Sequence, residues 1–223
     1  FVLAELKRRG VDTGACRVEE GRATGLTVVI SRGEDRAILT AVGAMDALAA
    51  EDVTEAILAT AEHLHVTSPS LQPRLRAGLP DLFARAHAAG LTTSLDPGWD
   101  PAGEWDTALG DALTATDVFF PNAAEACRIA GTEDPRAALA LLAARVPTVV
   151  VKLGAQGAIA ADPTGRARAV VPASDPTDGP AGALATDAAG ASARADLAAP
   201  AVRPVDTTGA GDSFAAGYLR ADR

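Results

Sequence analysis

Between Asp52 and Val151 the sequence alternates between two hydrophobic periods, and that alternation leaves few folds open. Short extended runs occur at Leu64-His65-Val66, Thr92-Thr93-Ser94-Leu95, Val118-Phe119-Phe120 and Thr148-Val149-Val150-Val151. Segments with helical spacing separate them. Val53, Ile57 and Ala61 share one helical face. Leu79, Leu82, Phe83 and Ala86 share another, with Pro80 in the first turn and Gly90 as the stop. Trp105, Ala108, Leu109, Ala112 and Leu113 predict a further amphipathic helix, and Ala123 to Ile129 and Arg136 to Arg145 are also helical. Repeated strand–helix–strand units require a mostly parallel sheet whose two faces are covered by helices, an α/β fold of three layers, α/β/α. Aromatic residues make up only 4% of the chain, so the core rests on Ala, Val and Leu, which suit close packing of helix on sheet.

The flanks read differently. Val2 to Arg9 is helical and stops at Gly10, and Ala15 to Val18 is expected to be a short strand. Leu26 to Ile30 and Arg36 to Thr40 are extended runs around a polar, Gly-containing loop, which predicts a hairpin. Ala158 to Ala160 and Arg168 to Val171 read as shorter, more exposed strands. Residues 173–203 are mainly Ala, Gly, Pro, Asp and Ser, far longer than a usual connection, and are expected to form a disordered insertion. Both ends of the sequence read as interrupted elements.

Charge and motif absences narrow the function. A net charge of -9 disfavours nucleic acid and anionic membranes as partners, while one local anion site remains compatible with it. Cys16 and Cys127 lie far apart, so the expectation is two thiols in a reducing cytoplasm. No apolar run reaches the length of a membrane span. His63 and His65 would share a strand face, but two histidines are too few for a zinc site. The phosphate-loop pattern is missing, as are the protein-kinase motifs. Gly209-x-Gly211-x-x-Phe214 lacks the third small residue of a dinucleotide fingerprint, which disfavours a dehydrogenase-like domain.

Ligands of parallel sheets sit beyond the carboxyl ends of the strands, and the polar residues cluster there: Thr67-Ser68, Asp96, Asn122 and Lys152. The strongest local signal is Asp206-Thr207-Thr208-Gly209-Ala210-Gly211-Asp212, ahead of a helix. Two glycines permit a tight turn, and bare amides at a helix start bind phosphate oxygens. A carboxylate there can take the proton of an attacking hydroxyl. A plain Gly-rich helix start with an Asp cap fits the same residues. Asn122 and Glu125 fit a capping box, Lys152 to Gly157 a hairpin turn, and Asp96-Pro97 a strand-ending turn.

Asp206 to Asp212 resembles the C-terminal signature of the PfkB, or ribokinase-like, carbohydrate kinases. Pro121-Asn122-Ala123-Ala124-Glu125 and Val151-Lys152-Leu153-Gly154-Ala155-Gln156-Gly157 resemble further elements of that family, in the same order. The resemblance implies ATP-dependent phosphorylation of a hydroxyl on a sugar or sugar-like molecule. It makes Asp212 the catalytic base and Gly209, Ala210 and Gly211 the anion hole. Asn122, Lys152, Leu153, Gly154, Ala155, Gln156 and Gly157 would bind nucleotide, and Asn122 and Glu125 would organise Mg²⁺ through water. Asp96 falls where the family places substrate-proximal groups. Residues 1–223 would be one partial kinase domain, with lid strands near 15–41 and the insertion at 173–203. Parts that hold the sugar and close over adenine would lie outside this sequence. An inactive nucleotide- or sugar-binding remnant of the same fold is the alternative, and homodimerisation through the lid stays open.

Overall fold

The computed structural model describes residues 1–32, 35–105, 109–162, 193–197 and 210–221. Helix α1 (Val2–Arg8) leads to an antiparallel hairpin of β1 (Leu26–Arg32) and β2 (Asp35–Ala41). The hairpin predicted from the sequence is therefore present. Its register pairs Leu26 with Ala41, Val28 with Leu39 and Ile30 with Ala37, so one face is apolar over these three successive pairs. Ala15 to Val18 forms no strand. That run has no strand partner, and an unpaired strand leaves its amides without acceptors.

A six-stranded sheet follows: β3 (His63–Thr67), β4 (Thr92–Asp96), β5 (Val118–Phe119), β6 (Thr148–Lys152), β7 (Ala158–Asp162) and β8 (Ala193–Leu197). The strands lie side by side in chain order, parallel from β3 to β6 and antiparallel from there to β8. The connecting helices are α2 (Glu55–Leu58), α3 (Pro73–Ala77), α4 (Leu79–Ala88), α5 (Gly110–Thr114), α6 (Ala123–Ala130) and α7 (Pro135–Ala143), and α8 (Ala210–Ala221) comes last.

Every crossover from β3 to β6 steps in the same direction. Parallel crossovers are right-handed, so their helices fall on one face of the sheet. The main core lies there: Leu79, Leu82, Phe83, Leu113, Ala126, Ile129, Leu139 and Leu142 pack on Val66, Leu95, Phe119, Val149 and Val151. The opposite face of β5 to β7 carries Val118, Phe120, Val150, Ala158 and Ala160, and α8 covers it with Ala215, Tyr218, Phe214 and Leu219. Tyr218 meets Phe120 edge-on, with ring centroids 5.3 Å apart. Adjacent residues of β6 thus point to opposite faces and are buried on both, which is why its composition is uniformly apolar.

Several expectations need correction. Strand β7 is buried throughout rather than exposed, because it is an inner strand between β6 and β8. Ala193–Leu197, inside the stretch expected to be a disordered insertion, forms β8 on β7; the rest of 173–203 lies outside the described residues, as does the strand expected at 168–171. The helix expected from Trp105 is described only over Gly110–Thr114, and the one near Asp52 shortens to the single turn of α2. Trp105 packs in the core, as its spacing suggested, while Trp99 is exposed and meets it edge-on.

Candidate active site

The carboxyl ends of β4, β5 and β6 meet the first turn of α8 in one corner. Asp96 is the last residue of β4 and is buried. One carboxylate oxygen, Oδ1, accepts from the Gly98 amide at 3.2 Å; the other, Oδ2, accepts from Lys152 Nζ at 2.5 Å. Lys152 closes β6, and its amide donates to the carbonyl of Pro121 at 2.9 Å. Its backbone also bridges Asn122 in parallel fashion, which brings two sequence segments, Asn122–Glu125 and Lys152–Gly157, side by side.

Asn122 caps α6. Its Oδ1 accepts from the Glu125 amide at 2.9 Å, and Glu125 Oε2 accepts from the Asn122 amide at 2.8 Å. The capping box allowed by the sequence is therefore real, and it immobilises both side chains. Burial pushes the Glu125 carboxyl up from its ordinary value; the Asn122 backbone donor opposes this, Asp96 adds to it and Lys152 counters it.

Lys152 to Gly157 form a tight hairpin turn between β6 and β7. The Leu153 amide donates to the Gly157 carbonyl at 2.7 Å, and Gly154 and Gly157 hold φ of +60° and +89°. Such φ values favour glycine. Gly154, Ala155 and Gln156 are exposed at the carboxyl end of the sheet, beside Asn122.

Helix α8 begins at Ala210, with Gly211 and Asp212 in its first turn; Gly209 lies outside the described residues. A Cβ on Gly211 would stand 3.3 Å from Lys152 Nζ and 4.0 Å from Asp96 Oδ2. The bare glycine lets the ammonium approach the helix start closely. A helix N-terminus carries partial positive charge, so it and Lys152 together attract an anion, with Asp96 offsetting their repulsion. Asp212 is exposed at this corner.

The structure thus brings together Asp96, Asn122, Glu125, Lys152, Ala210, Gly211 and Asp212. Sequence reasoning missed the Asp96–Lys152 pair and the polar surface beside it. On the α8 side of β3 and β4 the outward residues are His63, His65, Thr67, Thr92, Ser94 and Asp96. Their alternation with Leu64, Val66 and Leu95 was the available signal. Oxygen chemistry at the corner fits Mg²⁺ only at one remove. Asn122 Oδ1 and Glu125 Oε2 are committed to each other's amides, which leaves Glu125 Oε1 to hold a water of the ion. No cluster of three or more His, Cys, Asp or Glu able to hold a metal occurs among the described residues.

This is an α/β/α protein whose polar groups lie at the carboxyl ends of the strands, where ligands of such sheets sit, facing a helix start. The chain matches the model of the pfkB family carbohydrate kinases over residues 1–178 and 176–221, and it belongs to that family. It is 30% identical over 224 residues to the ATP-dependent ribose-1-phosphate kinase of Halopiger xanaduensis, covering 96% of this chain and 60% of that protein. It is 28% identical over 231 residues to the 2-dehydro-3-deoxygluconokinase of Bacillus subtilis, covering 98% of this chain and 63% of that one. The crystal structure of fructokinase with bound ATP from Xylella fastidiosa has the same fold, with a TM-score of 0.73, 20% identity, and 100% of this chain and 64% of that chain covered. The chain therefore spans 60 to 64% of the length of these three proteins.

Proposed function

We propose that this chain transfers the terminal phosphoryl group of ATP to a hydroxyl of a sugar or sugar-like molecule. The observation that carries the reading is the convergence of Asp96, Lys152 and the Gly211–Asp212 turn, with Lys152 Nζ 3.3 Å from the place of a Gly211 Cβ. Three segments far apart in the chain meet at the carboxyl end of the sheet, beside the start of a helix.

Asp212 takes the proton of the acceptor hydroxyl as its oxygen attacks phosphorus. The amides of Gly209, Ala210 and Gly211 accept the charge gathering on the transferred group. Lys152 adds a positive charge to the same oxygens, and the turn from Leu153 through Gly154, Ala155 and Gln156 to Gly157 flanks the nucleotide. Asp96 orients Lys152 and stands on the acceptor side. Asn122 and Glu125 hold water for Mg²⁺, which when bound neutralises phosphate charge. The hairpin β1–β2 serves as a lid within the single unit 1–223, and its apolar face, with Leu26, Val28, Ile30 and Leu39 exposed, would close on the acceptor or on a second copy in a homodimer. Among the described residues no helix is long and apolar enough to cross a membrane. Free thiols at Cys16 and Cys127 support a reducing compartment, the cytoplasm.

The test is Asp212→Ala, assayed with ATP and a panel of sugars and followed by calorimetry with ATP. Turnover is expected to fall by about 10²- to 10⁴-fold with ATP affinity retained. Unchanged turnover refutes the assignment, and ATP binding without turnover in the unsubstituted protein would identify a binding remnant.

A further inference from the structure

The loop that follows β4 holds a tryptophan in water at the carboxyl end of the sheet. Trp99 is 57% exposed, whereas Trp105 is buried in the core. The two indoles meet edge-on, with centroids 5.0 Å apart. An edge-on contact engages at most one face of a ring, so at least one face of Trp99 is not spent on Trp105. The loop between them is braced. Asp100 is buried; its Oδ1 accepts from the Ala102 amide at 3.0 Å, and its Oδ2 accepts from the Glu104 amide at 2.8 Å. Gly98 holds a φ of +59°, and a Cβ there would stand 2.5 Å from Ser68 Oγ. Ser68 itself holds a φ of +50° and is the one non-glycine residue with positive φ among the described residues. Strain of that kind persists only where the surroundings fix the backbone.

These contacts set which side of the corner the loop occupies. Asp96 accepts from Lys152 with one oxygen and from the Gly98 amide with the other. Lys152 belongs to β6, whereas Gly98 leans on Ser68 just beyond the end of β3. The strand order β3–β4–β5–β6 puts these two on opposite sides of β4. The turn proposed to flank the nucleotide therefore lies on one side of the Asp96 carboxylate, and the loop carrying Trp99 leaves on the other. An indole presented there meets the acceptor rather than the adenine. Its face is broad, apolar and electron-rich. That suits the C–H face of a closed sugar ring, whose carbon-bound hydrogens carry slight positive charge. An extended polyol chain offers no such flat face.

We propose that Trp99 is the platform on which the acceptor's ring lies, so that the site selects ring-closed sugars over their open-chain reduced forms. The inference rests on the phosphoryl-transfer reading above. Trp99 takes no part in making or breaking bonds. It holds the ring beside Asp96, with a hydroxyl free to reach the first turn of α8. Trp105 and Asp100 are positioning residues: one props the indole, and the other fixes the loop through two amides. A platform that is already rigid before the sugar arrives loses little freedom on binding.

Trp99→Ala and Trp99→Phe test this, with ribose and fructose as ring-closed probes and ribitol and sorbitol as their open-chain counterparts. The chain has two tryptophans, so its fluorescence reports on the site directly. Ribose or fructose should shift the emission of the unsubstituted protein by covering an exposed indole, and ribitol and sorbitol should not. In Trp99→Phe only the buried Trp105 emits, and the shift should vanish. With ATP, Trp99→Ala is expected to raise KM for the sugar about tenfold, with KM for ATP unchanged. Trp99→Phe should recover most of that loss, because a flat ring remains. The platform is overturned if neither sugar shifts the emission, if the polyols shift it equally, or if KM for the sugar is unmoved in Trp99→Ala. A rise in KM for ATP instead would put the indole on the nucleotide and overturn it as well. If Asp212→Ala leaves turnover intact, the phosphoryl-transfer reading has failed; a ring-specific shift that is lost in Trp99→Phe would still support the platform.

Discussion

Lys152 and Asp96 show how single residues depend on one another here. Their side chains are only 16% and 9% exposed, so neither charge is well hydrated. Lys152 also faces the positive end of α8, an arrangement that a lysine alone would oppose. Asp96→Asn should therefore cost about 3 kcal/mol of stability, most of it from the lysine left unpaired. Adding Lys152→Met should recover part of that loss, so the double variant is more stable than the sum of single effects. Urea denaturation of the four proteins measures this, and additive effects would show that the pair is not coupled. Sequence reading placed both residues at strand ends but could not pair them. The pairing follows from β5 lying between their strands and from the first turn of α8 approaching both side chains, and these are tertiary facts.

Capping sets the behaviour of α6. Glu125 is buried, and its carboxyl titrates above the ordinary value of 4.5. The native state then holds its proton more tightly than the unfolded chain does. Glu125 thus contributes stability that is full below the unfolded value and is lost as pH rises through the raised native one. Glu125→Gln keeps an oxygen for the Asn122 amide and removes the ionisation. The variant should melt at a higher temperature than the unsubstituted protein at pH 7, with the difference shrinking below pH 4.5; calorimetry against pH is the check. Helices α4 and α6, the hairpin β1–β2 and the turn after Lys152 were legible because their signals are local: apolar spacing, Pro80, Asn122 with Glu125, and paired glycines. Strand β8 was not, because Ala193-Arg194-Ala195-Asp196-Leu197 has a strand pattern only once β7 offers it an edge. The exposure of β7 was misjudged for the same reason: short side chains such as Ala158 and Ala160 are buried by their neighbours, not by their own hydrophobicity.

For the molecule as a whole, the proposed function makes α8 a link between stability and chemistry. It carries Asp212 at one end and docks through Ala215 and Tyr218 on the second face of the sheet. Tyr218→Ala removes one of the two rings that meet Phe120 edge-on and should cost about 3 kcal/mol. If Asp212 is the base as proposed, the variant should also lower phosphoryl transfer although no residue of the corner has changed, because the helix that carries the carboxylate is loosened. Thermal melts and kinase assays on the same preparation separate the two effects. Turnover unaffected by a large loss of stability would mean that α8 does not position the chemistry. The layer order behind this coupling was readable from the alternation of periods. Which helix covers the second face was not, because that depends on where a distant helix lands.

The most direct test of the account is a crystal structure of the protein with a non-hydrolysable ATP analogue and a sugar acceptor. The terminal phosphate should lie on the first turn of α8 within hydrogen-bond reach of Lys152, with the Asp212 carboxylate against the acceptor hydroxyl. Nucleotide bound away from that turn, or Asp212 directed away from the acceptor, would contradict it.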